Sequence, residues 1–220
     1  MKLEEKVEKS REILGAAVEK FGERCAVAWT GGKDSTAILG LLKEMYGRIP
    51  VPVIFVDTTV EFPETYEFIE KIRSGWDLNL IVAKNEEALK TIKIAEDKEL
   101  CCRLLKIEAL NKCIREKGFR AVVTGIRWDE QEARSGETFV SRREDPEHLR
   151  IHPILHWTEG DVWEFIKTRN LPVHPLYSKG YRSIGCEPCT EPTPEGGRER
   201  DGRAQDKEEI MERLRKLGYF

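Results

Sequence analysis

A short apolar run that ends in two glycines, a lysine and an aspartate constrains this chain more than any other feature. Residues 25–29, Cys-Ala-Val-Ala-Trp, read as a buried strand; Thr30-Gly31-Gly32-Lys33-Asp34-Ser35-Thr36 follows, and Ile38, Leu41, Leu42 and Met45 then recur at helical spacing. Strand, glycine turn and helix in that order gather backbone amides and a helix N-terminus at one point, where a polyanion is favoured. The pattern repeats along the chain. Residues 51–56 form a second apolar strand closed by Asp57-Thr58-Thr59, and Pro63 opens a helix at its favoured early position. Residues 78–83 and 121–124 give two more short strands with a helix over about 102–117 between them, and residues 3–21 form an opening helix on Leu3, Val7, Ile13, Leu14, Ala17 and Val18. Strands alternating with helices predict an α/β fold, a mostly parallel sheet with helices on both faces. Such sheets take ligands beyond the carboxyl ends of their strands, where residues 30–36, Asp57 and Gly125 all fall.

With 220 residues, 40% of them hydrophobic, the chain buries one substantial core. Residues 1–145 are expected to form the α/β domain that carries the polyanion loop, and residues 146–220 a C-terminal extension of the same domain that supplies a second cysteine pair, at 186 and 189. In that extension, prolines at 153, 172, 175, 188, 192 and 194 surround one helix at 161–169, capped by Thr158, as a loop-rich cover over the site. A charged stretch at 206–217 carries Ile210, Leu214 and Leu217 at helical spacing and reads as a mobile tail. The net charge of −3, with both signs interspersed, gives no global basic field, so nucleic acid is not indicated, although a tRNA partner stays open. No apolar run approaches the roughly 20 residues that span a bilayer, and the charged N-terminus has no signal-peptide core, so a cytoplasmic protein, and a homo-oligomer, is expected.

The glycine loop lacks the spacing of a Walker A loop, which has four residues between its glycines and Lys-Ser/Thr after the second. It resembles instead the Ser-Gly-Gly-Lys-Asp-Ser signature of the PP-loop ATP pyrophosphatases, with Thr30 keeping the first hydroxyl. That resemblance implies an adenine nucleotide alpha hydrolase-like fold and nucleotide contacts from Thr30, Gly31, Gly32, Lys33, Asp34 and Ser35, together with Gly125 and Arg127. Asp57 either lies near the adenosine end or a metal ion, or caps the turn at 58–61.

Six cysteines fall at 25, 101, 102, 113, 186 and 189. Cys101-Cys102 and Cys186-x-x-Cys189 together offer four thiolates, a complete ligand set for an iron–sulfur cluster or a structural zinc. Adjacent cysteines on a helix point roughly 100° apart, which suits an external metal better than a disulfide. Cys25 and Cys113 read as small core residues, and His148, His152, His156 and His174 receive no role. The double cysteine together with Gly-Tyr-Arg-Ser-Ile-Gly-Cys-Glu-Pro-Cys-Thr at 180–190 resembles the 4Fe-4S signature of assimilatory adenylylsulfate reductases. Thr124-Gly125-Ile126-Arg127, Trp163, Leu-Pro-Val-His-Pro-Leu-Tyr at 171–177 and Glu-Arg-Asp-Gly-Arg at 199–203 extend the resemblance to the adenylylsulfate/phosphoadenylylsulfate (APS/PAPS) reductase family over about residues 25–203. It implies a 4Fe-4S cluster on Cys101, Cys102, Cys186 and Cys189, and phosphosulfate contacts from Lys106, Arg200 and Arg203. Paired guanidinium donors match the oxygens of such a group; in isolation the same arginines read as a solvated charged tail.

Two departures bear on the reaction. Reductases of this family attack the sulfur with a cysteine in a C-terminal Glu-Cys-Gly-Leu-His segment, whereas no cysteine follows Cys189 here, so no catalytic residue is assigned. The reductases also carry a degenerate loop, whereas Gly-Gly-Lys-Asp-Ser is intact here and points to ATP with Mg²⁺. Three readings follow. The leading one is a 4Fe-4S-containing APS/PAPS reductase-like oxidoreductase, its nucleophile coming from Cys25, Cys113, a thioredoxin-like partner or an external thiol. The second is an ATP pyrophosphatase that adenylates an acceptor for sulfur transfer. The third is a non-catalytic nucleotide- or cluster-binding protein.

Overall fold

The structure, a computed structural model, describes residues 1–219. It opens with α1 (Leu3–Phe21), whose first turn places Glu4 and Glu5 at the positive end of the helix dipole. β1 (Cys25–Ala28), α2 (Lys33–Tyr46), β2 (Val53–Val56), α3 (Pro63–Gly75) and β3 (Leu80–Ala83) build one half of the sheet. The chain crosses back through α4 (Glu86–Leu89), α5 (Lys98–Cys102) and α6 (Ala109–Lys117) to β4 (Ala121–Val123), on the other side of β1. A hairpin of β5 (Val140–Arg143) and β6 (His148–Ile151) completes the sheet, and α7 (Glu159–Thr168), α8 (Gln205–Glu209) and α9 (Met211–Lys216) follow.

The strand order is β3-β2-β1-β4-β6-β5, and every pairing but β5 with β6 is parallel. The expected α/β fold is the one that forms. Side chains alternate across it: Val27, Val53, Phe55 and Val123 enter a large core with α1, α2, α3 and α7, while Ala26, Ile54 and Val122 meet Leu110 and Ile114 of α6. Burial on both faces is why the strands read as continuous apolar runs. The chain leaves β1 in one direction toward β2 and β3 and later in the other toward β4 and β6, so the switch point lies between β1 and β4, where open α/β sheets form their ligand crevice.

Three local departures from the expected elements matter for the site. The stretch read as a loop-rich cover contributes β6 to the sheet itself: Leu149 and Ile151 pack into the large core, but the intervening His148 and Arg150 interrupt the apolar run that marks the other strands. The helix expected over 102–117 begins earlier, at Lys98, with the Asp97 side chain accepting from the Leu100 amide at 2.9 Å; it then widens into a π-helical stretch, Arg103–Glu108, before α6. The expected mobile tail is packed down as α8 and α9, and Met211 and Leu214 close a third small core with Cys102, Ile126 and Leu155. Among the described residues no helix is long and apolar enough to cross a membrane.

Candidate functional site

The loop after β1 and the loop after β4 meet backbone to backbone. Gly31 turns the chain at φ 77°, a conformation glycine adopts without steric cost. A Cβ on Gly125 would lie 2.8 Å from the Ser35 nitrogen and 2.9 Å from the Asp34 carbonyl carbon, so only glycine lets the β4 loop rest against the N-terminus of α2. Below this junction opens a cleft of about 220 Å³ whose one wall is Thr30, Gly32, Lys33, Asp34, Ser35 and Gly125. Gly31, Asp57 and Arg127 lie outside that lining. The Asp57 carboxylate is taken locally: Oδ1 accepts from the Thr59 amide and from the Tyr66 hydroxyl, both at 2.8 Å, which is the turn-capping alternative.

Behind the loop, two buried cations share carboxylates. Lys33 Nζ lies 2.5 Å from Glu199 Oε1 and 3.7 Å from Asp34 Oδ2, and also donates to the Arg182 carbonyl at 2.8 Å. Arg127, fully buried, donates from Nε to Asp34 at 2.6 Å, from Nη1 to Asp129 at 2.5 Å and from Nη2 to Glu199 at 2.6 Å. Burial alone would push the Lys33 pKa down, but Asp34 and Glu199 outweigh it and hold it above the ordinary value. The same balance holds Asp34 below the usual carboxylate range, with Lys33 and Arg127 overcoming its burial. Glu199 thus shares its charge between the loop lysine and Arg127.

The opposite wall is built by the π-helical stretch and the C-terminal segment. Lys106, from the middle of the π-helical turns, lines the cleft, with the Tyr219 ring 5.9 Å from its Nζ. Arg203 lies over Gly185, where any Cβ would overlap its guanidinium; it is 6% exposed and among the described residues its Nε has no hydrogen-bond partner. Arg200 also lines the cleft but is held by Glu130 at 2.7 Å and by both oxygens of Glu208 at 2.8 Å. Tyr219 lies in the lining too, its hydroxyl accepting from Lys207 Nζ at 2.7 Å. Burial would push this phenol up, but Lys106 and Lys207 hold it below its ordinary pKa.

The four paired cysteines approach one another beside this wall. Cys101 is raised in pKa by burial and by the neighbouring Cys102, Cys186 and Cys189, and Lys106 is held high, against its burial, by Cys186, Tyr219, Glu61 and Cys102. Cys186 Sγ lies 3.3 Å from Thr58 Oγ1, and the Glu187 amide donates to the Val60 carbonyl at 2.8 Å, which ties the second pair to the loop after β2. Among the described residues no three His, Cys, Asp or Glu side chains converge closely enough to hold a single metal ion. Cys25 and Cys113 are buried outside the cleft lining, and burial pushes the Cys25 thiol up to about 12, so neither is placed or ionised to serve as a nucleophile.

Four residues of the site were not picked out by their sequence. Glu199 lies in the Glu-Arg-Asp-Gly-Arg segment, where attention falls on the arginines. Arg134 and Arg150 are 6% and 2% exposed and line the cleft, and Tyr219 comes from the tail. An arginine between two apolar core residues, as Arg150 is between Leu149 and Ile151 in β6, was the available signal.

Residues 24–192 match the family described as phosphoadenosine phosphosulfate reductase domain. The chain is 33% identical over 208 residues to the adenosine 5′-phosphosulfate reductase of Bacillus cereus, covering 91% of this chain and 87% of that protein. Its fold is similar to phosphoadenylyl-sulfate (PAPS) reductase from Candida auris in a phosphate complex, with a TM-score of 0.71 and 26% identity over 83% of this chain and 90% of the other. The fold is also similar, at a TM-score of 0.57 and 21% identity over 78% of this chain and 65% of the other, to the U34-tRNA thiolase NcsA from Methanococcus maripaludis with its [4Fe-4S] cluster.

Proposed function

Because this chain belongs to the phosphoadenosine phosphosulfate reductase family, we propose that its cleft binds an adenine sulfonucleotide, adenylylsulfate or its 3′-phosphorylated form, and that it acts as a reductase-like oxidoreductase. One observation carries this reading: the loop of residues 30–35 and the wall of Lys106 and Arg203 open on the same cleft. The loop amides and the N-terminus of α2 suit the nucleotide phosphate, and Lys106 and Arg203 suit the sulfonate.

The donor set beside that wall is four thiols, with the Glu61 carboxylate 3.5 Å from Cys186 Sγ, and four thiolates suit an iron–sulfur centre. Cys101, Cys102, Cys186 and Cys189 would hold a 4Fe-4S cluster, which when bound would supply an electrostatic centre next to Lys106. The attacking sulfur comes from outside, from a thioredoxin-like protein or another dithiol. Its thiolate bonds to the sulfonyl sulfur as the bond from that sulfur to the phosphate oxygen breaks, the electron pair leaving on AMP or adenosine bisphosphate. The second thiol of the donor then attacks the first sulfur, releasing sulfite and leaving the donor as a disulfide. Lys106 and Arg203 neutralise the sulfonate charge, and the α2 N-terminus stabilises the departing phosphate.

A second reading, ATP cleavage with Mg²⁺ to adenylate an acceptor for sulfur transfer, is favoured by the intact loop, whose Thr30 and Ser35 hydroxyls remain clustered at 3.4 Å. Anaerobic calorimetric titration separates the two at the binding step. Adenylylsulfate is expected to bind more tightly than AMP, with the difference lost in Lys106→Met. Equal affinity for the two ligands in the wild-type protein refutes the sulfonucleotide reading.

A further inference from the structure

β6 carries a buried positive charge with no carboxylate of its own. Arg150 is 2% exposed, lines the cleft and donates from Nε to Nε2 of His148 at 2.8 Å. His148 is prepared for this contact: its Nδ1 lies 2.6 Å from the Pro146 carbonyl, which requires the proton on Nδ1 and leaves Nε2 as an acceptor. The two residues are two apart on one strand and therefore share a face of the sheet. With Nε committed to His148, the plane of the guanidinium is fixed and Nη1 and Nη2 are left for another acceptor.

Among the described residues Arg150 makes no ion pair. Glu137 is shared by Arg215 at 3.2 Å, Arg143 at 3.5 Å and His152 at 3.7 Å. Burial, followed by the neighbouring Arg143, pushes the Arg150 pKa down to about 9, with Glu137 acting weakly in the opposite sense. A buried guanidinium without a counter-charge is destabilising, so a chain that keeps one aimed into a cleft has a use for it there. Arg134, 6% exposed and bonded to Glu130, lines the same cleft and adds to its positive potential.

We propose that Arg150, oriented by His148, is a binding residue for a second anionic group of the nucleotide, apart from the phosphate received by the loop of residues 30–35. This inference rests on the nucleotide reading of the cleft. The chemistry is that of a tetrahedral oxyanion, a phosphate or a sulfonate, which two parallel guanidinium donors match. It is carried either on the ribose or at the end of the 5′ chain, and the ligands below distinguish the two.

The test is calorimetric titration of AMP, adenosine 3′,5′-bisphosphate and adenylylsulfate into wild-type, Arg150→Gln and Arg150→Lys proteins prepared anaerobically. Loss of a charge-assisted pair predicts that Arg150→Gln binds one of the two ligands that carry a second anionic group roughly 10- to 100-fold more weakly, with AMP affinity within about twofold and partial recovery in Arg150→Lys. Loss confined to the bisphosphate assigns Arg150 to a ribose phosphate; loss confined to adenylylsulfate assigns it to the 5′ end. Equal weakening of all three ligands, or of none, overturns the inference. Wild-type protein that binds none of them overturns the nucleotide reading and this inference with it. Ligand-free Arg150→Gln should melt at or above the wild-type temperature, because it removes an uncompensated charge. A melting temperature lower by more than about 5 °C marks Arg150 as structural and also overturns the inference.

Discussion

Replacing Glu199 with glutamine keeps its shape and removes the charge that Lys33 and Arg127 share. The carboxylate is 8% exposed, with one oxygen 2.5 Å from Lys33 Nζ and the other 2.6 Å from Arg127 Nη2. Near 3 Å and at an effective dielectric of 20, each contact carries about 5 kcal/mol of Coulomb attraction before the desolvation of Glu199 is counted against it. Breaking a buried pair from one side typically costs about 3–5 kcal/mol. Both cations keep other acids, Asp34 at 3.7 Å for Lys33, and Asp34 and Asp129 at 2.6 and 2.5 Å for Arg127. The expected loss for Glu199→Gln is therefore at the lower end, about 3 kcal/mol, which for a chain of this size lowers the melting temperature by about 6–12 °C. A phosphate or pyrophosphate entering the loop replaces the missing charge, so the variant should gain more melting temperature from these anions than the wild type gains. Differential scanning fluorimetry with and without each anion reads both effects. A fall of less than about 3 °C, or an anion-induced gain no larger than that of wild type, refutes the idea that Glu199 balances the loop.

Three further outcomes are expected. Gly125→Ala forces a methyl into the α2 N-terminus at 2.8–2.9 Å, so nucleotide affinity should fall by about tenfold with a stability loss of about 1–3 kcal/mol; unchanged affinity would separate the β4 loop from the site. His148, His152 and His174 are pushed down by burial to about 4, 3 and 4, so the native protein holds them neutral while the unfolded chain protonates. Stability should then fall as pH drops from about 6.5 toward 4, and Asp34, whose pKa is lowered in the fold, extends the loss below that range; a melting temperature flat from about pH 7 to 4.5 contradicts this. Anaerobically prepared wild-type protein should carry about four irons per chain, and Cys186→Ser far fewer; full iron in the variant removes that cysteine from the cluster.

How much of this was legible in the sequence differs from element to element. β1, β2 and β4 could be read because each is buried on both faces, and β3, an edge strand with Val82 exposed, because it is still an unbroken apolar run. β6 could not, because His148 and Arg150 break its apolar run, and its partner β5 is a half-exposed edge strand in which three of four residues are polar. The loop was legible because its turn at Gly31 and its packing against Gly125 require particular residues, and six of the nine nucleotide contacts expected from the sequence line the cleft. Asp57 was ambiguous from sequence, since an aspartate after a strand serves a turn as readily as a ligand. The π-helical widening at Arg103–Glu108 leaves no mark in the spacing of apolar residues, although it carries Lys106. Glu199 escaped notice because its importance lies in two cations distant in sequence, which only the fold brings together.

Side-by-side assay of products tests the central reading most directly. Anaerobically purified protein, given adenylylsulfate or its 3′-phosphorylated form with a dithiol, is followed for sulfite, and in parallel reactions given ATP, Mg²⁺ and candidate acceptors it is followed for pyrophosphate. The sulfonucleotide-reductase reading predicts dithiol-dependent sulfite release and no acceptor-dependent pyrophosphate. Pyrophosphate from ATP with no sulfite from either sulfonucleotide would contradict it.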